Sequence, residues 1–225
     1  MIHLKDIPYP LEVNTVLSRM NTTSSQKHAK GVEKMIGLAK EHIKPQIIYK
    51  KSLVVHHDDR SVHLDGILFN SRILRVNLNN AYISFPYVIT CGNSFDDFKQ
   101  SIEDMLDRFY LDEIGNIILA ETQSYFLNFI KESYHLKKVA KMNPGSLADW
   151  PLEQQRPLFS VLNETAVAEK IGVSLTDNML MTPAKSLSGI AFPTDVDFEN
   201  CQMCPQKDCP GRKAPYDDSM INKYF

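Results

Sequence analysis

Three of the four cysteines fall in one short run, Cys201-Gln-Met-Cys204-Pro-Gln-Lys-Asp-Cys209. Two thiolates at i and i+3 can clamp one metal, and a third can fold back through a polar loop stiffened by Pro205 and Pro210. Three ligands leave one position open. Cys91, expected at a strand end before Gly92, is the best candidate to close it, with His56, His57 and His63 behind it. The spacing suits an iron–sulfur cluster or zinc and does not choose between them. The alternative is a free or disulfide-paired set. Such clustering fits a metal site in a reducing compartment better than a disulfide scaffold. No H-x-x-x-H pair, Ser/His/Asp order or Gly-rich phosphate loop accompanies it.

The chain of 225 residues is long enough for a substantial core, and its 43% hydrophobic and 23% charged residues are those of an ordinary globular domain. A net charge of −2 leaves no electrostatic footprint for nucleic acid. The N-terminus lacks a basic flank and apolar core, and no stretch approaches about 18 uninterrupted apolar residues, so no membrane span and a cytoplasmic protein are expected.

These residues must be held by a mixture of helices and strands. Pro10 to Met20 has the pattern of a short helix. After the polar break Asn21 to Ser25, where Ser24 or Ser25 can cap, a second helix is predicted from Gln26 to Ile43, with Pro45 ending it. Short strands follow from Ile47 to Gly92, with a hairpin at Asp65-Gly66, a short helix over Ser71 to Leu78, and a buried strand from Tyr82 to Cys91. Pro86 places that strand at an edge or a bulge. Phe95, Phe98, Ile102, Leu106 and Phe109 predict one helix with core-facing aromatics, its Asp and Glu residues forming a solvated face. A second begins near Leu111 and passes Phe129. Asn143-Pro144-Gly145-Ser146 is a break, and Leu152 to Lys170 is helical with an interruption at Pro157. The fold class is α+β, helices around a mixed or antiparallel sheet. Residues 1–198 form the expected domain and 199–225 a Cys-rich tail.

In the run from Ile171 to Pro193, Val173 and Leu175 alternate with Ser174 and Thr176, Thr176-Asp177-Asn178 supplies a turn, and a strand returns from Leu187 to Phe192. This run resembles the signature of the activation domain of cobalamin-dependent methionine synthase. Ile171, Gly172, Leu175, Thr176, Asp177, Asn178, Met181, Pro183, Ser186, Ser188, Gly189 and Phe192 all fit, without a gap. The resemblance implies a curved sheet with helices around it. It also implies a domain that caps a partner's cobalamin and supplies a methyl group from S-adenosylmethionine, so that cob(II)alamin, once reduced, returns to methylcobalamin. The partner is then a corrinoid methyltransferase protein.

A second block, Lys141-Met-Asn143-Pro144-Gly145-Ser146 followed by Asp149-Trp150-Pro151-Leu152, is similar to the family's R-x-x-P-G-Y run and its continuation in stand-alone relatives. There the Arg pairs with the methionine carboxylate of S-adenosylmethionine and the loop backbone cradles the ligand. This chain departs in three places. Lys141 keeps the charge but loses the bidentate fork, Ser146 lacks the aromatic ring, and Ala191 stands where the family has Tyr. Glu121 falls in a helix where the family carries a ligand-contacting Glu; a plain surface Glu is the alternative. The resemblance thus marks Lys141, Asn143, Pro144, Gly145, Ser146, Ala191 and Glu121 as cofactor-binding residues. The cysteine tail, similar to that of many stand-alone relatives, marks Cys201, Cys204, Cys209 and Cys91 as metal-binding. The other reading is an iron–sulfur or zinc accessory protein on the same fold that does not bind S-adenosylmethionine. Arg212, Lys213 and Tyr216 either touch a ligand or tie the tail to the domain.

Overall fold

The computed structural model describes residues 1–20, 26–196, 198–206, 208–209 and 212–224. Strand β1 (Ile2–Leu4) leads into helices α1 (Val13–Arg19) and α2 (Gln26–Ala39). Strands β2 (Gln46–Tyr49), β3 (Ser52–His56), β4 (Ser61–Leu64) and β5 (Ile67–Asn70) follow, then helix α3 (Arg72–Asn77) and strand β6 (Ile83–Thr90). Next come α4 (Asn93–Ser101), the long α5 (Met105–Ser133) and β7 (Val139–Met142). Helices α6 (Gln155–Leu162) and α7 (Glu164–Ile171), a small hairpin of β8 (Ser174–Leu175) and β9 (Met181–Thr182), strand β10 (Ser186–Pro193) and helix α8 (Asp218–Tyr224) complete the chain.

The main sheet is antiparallel at every pairing. Strand β6 runs through its middle, bonded to β10 on one side and to β2 and then β3 on the other. Beyond these lie β7 next to β10, β1 next to β2, and the β3–β4–β5 meander. Alternation along β6 separates two layers of helices. Val88 joins a core with α3, α6, α7 and α8, whereas Phe85, Tyr87 and Ile89 face α5. Helices α1, α2 and α4 pack on α5 from outside. Sandwiched in this way, α5 buries Leu111 and Ile118 as well as Phe126 and Ile130. It is therefore apolar on more than one side, as a helix inside a layered domain must be.

The α+β class and the antiparallel sheet agree with the sequence reading, and several details differ. The Asp65-Gly66 hairpin forms with both residues at positive φ, 50° and 85°. Pro86 is not at an edge. Its carbonyl accepts from Lys50 N, so its missing N–H faces the same side, where Lys50 and Lys51 interrupt the ladder between β2 and β3. The predicted aromatic helix ends at Ser101, and Leu106 and Phe109 belong to α5, which starts where the Asp104 carboxylate accepts from Asp107 N. Phe109 is consequently 44% exposed instead of core-facing. Pro157 does not interrupt α6, because it occupies the first turn, where its N–H is not needed. The break lies at Asn163, whose side chain caps α7. Helix α2 stops at Ala39, before Pro45. The caps Ser24 and Ser25 lie outside the described residues, as does Pro210.

Candidate functional site

Lys141 in β7 and Ala191 in β10 are directly opposed in the antiparallel register. Their side chains therefore share one face of the sheet, the face toward α5, while Ala140 and Met142 point into the other core. The Lys141 side chain is 12% exposed, and its ammonium stands 3.9 Å from Glu199 Oε2. That is an ion pair too long to be a hydrogen bond. Burial lowers the Lys141 pKa; the charge of Glu199 opposes that shift and the charge of Lys213 adds to it. An under-partnered, nearly buried ammonium is a place where an anion with direct acceptors gains much.

Asn143, just past β7, donates through Nδ2 to the Tyr87 hydroxyl (3.1 Å) and to Ser188 O (2.6 Å). Gln123 of α5 donates to the same hydroxyl at 2.7 Å. Tyr87 is fully buried, and burial raises its pKa far above the usual phenol value, so it remains neutral. On the other face Ser188 Oγ donates to Gln155 Oε1, and Gln155 donates to Met179 O. Gly189 is required here by close approach: a Cβ would lie 2.6 Å from both Asn143 Nδ2 and the Tyr87 hydroxyl. Gln123 and Tyr87 carry no motif signal, and only tertiary packing reveals them. Glu121 is partly exposed and lies two residues before Gln123, about 200° around α5, so the two side chains leave the helix on different sides.

The Asn143–Ser146 turn closes on itself. Gly145, at φ 81°, donates its N–H to Trp150 O, and Ser146 N–H donates to Asn143 O. Those two amides are thus engaged within the loop. The Asp149 stretch acts as a buttress, its carboxylate accepting from Ser71 Oγ and Ile73 N at the start of α3. Trp150 is fully buried beneath it. The run from Ile171 to Pro193 is likewise mostly scaffolding. Gly172 terminates α7 in the left-handed region, and Thr176 Oγ1 accepts from Leu180 N, holding the hairpin that leads into β10. Only Ser188, Gly189 and Ala191 of that run enter the site.

The segment after β10 returns to the site. Asn200 Nδ2 donates to Ser146 Oγ at 2.8 Å, beside the Glu199–Lys141 pair. Phe198, Met220 and Tyr224 are buried in the core. Arg212 ties this segment together, its two terminal nitrogens donating to the carbonyls of Cys201, Ala214, Cys204 and Gln206.

Among the described residues, no three His, Cys, Asp or Glu side chains gather as a metal site. Cys201, Cys204 and Cys209 are free thiols of intermediate exposure, and Lys213 N–H donates to Cys201 Sγ at 3.3 Å. Cys91 does not fit with them. It is buried between α2, α4 and α5, donating to Gly115 O, whereas Cys204 packs on the core across the sheet. Burial pushes the Cys91 thiol up to about 12. His57 and His63 stack edge to face on β4 and the preceding turn, with ring centroids 4.9 Å apart.

A cleft of about 750 Å³ opens along the α3, β7 and β10 ends, with Arg72, Arg75, Lys137 and Asp195 in its walls. Both arginines are partly committed, Arg72 Nε to Tyr224 O and Arg75 Nε to Asp58 O. Lys141 does not line it. No helix among the described residues is long and apolar enough to cross a membrane.

No family model matches this sequence, and no curated protein matches it. A solved structure does match: the MetH reactivation domain bound to AdoHcy, with a TM-score of 0.62 at 10% identity, over 88% of this chain and 80% of that one. At that identity the likeness shows the fold, and the chain has the α+β architecture of a methionine synthase reactivation domain.

Proposed function

We propose that this chain binds S-adenosylmethionine at Lys141 and the Asn143–Ser146 turn and serves a cobalamin-dependent methionine synthase or related corrinoid methyltransferase. The observation that carries the proposal is the nearly buried, loosely paired ammonium of Lys141, set beside a Pro-Gly turn and opposite Ala191. In this reading Lys141 takes the ligand's carboxylate as a point charge, and Asn143 holds the turn in place through Tyr87 and Ser188. Where the family has rings, Ala191 is packed in the core beneath α5 and Ser146 accepts a hydrogen bond from Asn200. The cobalamin belongs to the partner and carries the chemistry. One electron and the methyl group of S-adenosylmethionine convert cob(II)alamin to methylcobalamin and release S-adenosylhomocysteine, while this chain binds and orients.

The test is an anaerobic assay on a methionine synthase lacking its own reactivation domain, loaded as cob(II)alamin and given reductant and methyl-labelled S-adenosylmethionine. Label should reach cobalamin only when this chain is added, and Lys141→Ala should abolish the transfer. Transfer at the same rate without the chain would refute the role.

A second reading, a zinc or iron–sulfur accessory protein, is favoured by the hydrogen bond from Lys213 N–H to Cys201 Sγ, which suits a thiolate ligand. It would take Cys201, Cys204 and Cys209 without Cys91, and it requires these three thiols, which do not gather as a site among the described residues, to draw together on the metal. Metal analysis after anaerobic purification tests it. Iron or zinc lost in Cys204→Ser supports it, and metal-free wild-type protein refutes it.

A further inference from the structure

The Lys141 site already holds a carboxylate, that of Glu199. The segment Phe198–Cys201 lies across the site and touches both residues that the resemblance places against a ligand, Lys141 through Glu199 and Ser146 through Asn200. Its ends are firmly held. Phe198 is buried, Asp217 N–H donates to Gln202 O, and Arg212 gathers the Cys201 and Cys204 carbonyls. Its seat on the site is weaker. The ion pair spans 3.9 Å, Glu199 is 42% exposed, and the buried Asn200 Oδ1 has no hydrogen-bond partner among the described residues. A carboxylate bonded directly to Lys141 would be a better partner than the one in place.

We propose that Glu199 and Asn200 form an internal ligand of the Lys141 site, a strap that an incoming ligand's carboxylate must displace. The proposal rests on reading Lys141 as the carboxylate-binding residue, and it makes Glu199 a determinant of ligand affinity. Because Cys201 follows directly in the strap, its thiol reports strap position. It accepts a hydrogen bond from Lys213 N–H when the strap is seated.

The experiment uses the full chain as wild type, Glu199→Gln, Asn200→Ala and Lys141→Ala. Affinity for S-adenosylhomocysteine is read by calorimetry, and alkylation of Cys201 by iodoacetamide is read by peptide mass spectrometry. Glu199→Gln and Asn200→Ala should bind up to about fivefold more tightly than wild type, since removing a partly exposed ion pair or one hydrogen bond frees a competent state by about that factor. Unchanged or weaker binding in both would overturn the strap. Should no variant bind the ligand, the ligand reading fails, and the strap is still decided by alkylation. Asn200→Ala, which changes no charge beside the thiol, should accelerate Cys201 modification, and a rate equal to wild type would overturn the strap.

Discussion

Lys141 and Ala191 face each other across the β7–β10 ladder, so two positions fifty residues apart in the chain share one small patch of sheet surface. Ala191 is fully buried against the core beneath α5. A tyrosine placed there is expected to overpack this core. Ala191→Tyr should lose about 1–3 kcal/mol in urea unfolding. A variant as stable as wild type would show that the surface beside Lys141 has unfilled room for a ring.

The protonation of Lys141 gives a pH signature. Its folded pKa lies below the ordinary 10.5 because burial penalises the charged form. Carboxylate binding should therefore weaken as pH rises through that depressed value, before a surface lysine would titrate. Lys141→Arg should hold its affinity to higher pH, since a guanidinium stays charged. The stability contribution has the opposite slope. Between the depressed pKa and 10.5 the unfolded chain binds more protons, so Lys141 favours folding more as pH rises. Calorimetric titrations across this range check the binding, and urea unfolding checks the slope.

Tyr87 accepts hydrogen bonds from both Gln123 and Asn143 in a fully buried setting. Tyr87→Phe leaves the buried Gln123 amide without its acceptor and the part-buried Asn143 amide with Ser188 O alone, and should cost about 1–3 kcal/mol. Gly189→Ala should be at least as damaging as a typical overpacked core, because its methyl group would meet the same two side chains at 2.6 Å. Thermal or urea unfolding distinguishes these outcomes from surface changes, which stay within about 0.5 kcal/mol.

The four thiols should separate into two classes. Cys91, buried and pushed up to about 12, should resist iodoacetamide in the native protein at about pH 8, while Cys201, Cys204 and Cys209 react. Peptide mapping reads this directly. Native-state labelling of Cys91 at the rate of the tail cysteines would contradict its burial.

Local patterns carried much of the fold. Asp65-Gly66 announces its hairpin because only a few residues accept left-handed φ, and the mostly apolar run Leu187–Phe192 announces β10. What stayed hidden depended on partners distant in sequence. Pro86 reads as an edge residue, yet it is accommodated in the central strand by a gap between β2 and β3 that no local pattern discloses. The start of α5 hinges on one capping bond at Asp104, which the run of aromatic residues masks. In the site, Lys141, Asn143 and Ala191 were legible from motif resemblance, and the register brings them together. Gln123, Tyr87, Glu199 and Asn200 were not, because each acts through a contact with an element far away in the chain.

The central claim, that Lys141 holds the carboxylate of an S-adenosyl amino acid, is tested most directly by calorimetric titration of wild type and Lys141→Ala with S-adenosylhomocysteine. Wild type should bind saturably and Lys141→Ala should not, with both proteins equally folded by circular dichroism. Equal binding by the two proteins, or none by wild type at millimolar ligand, would contradict it.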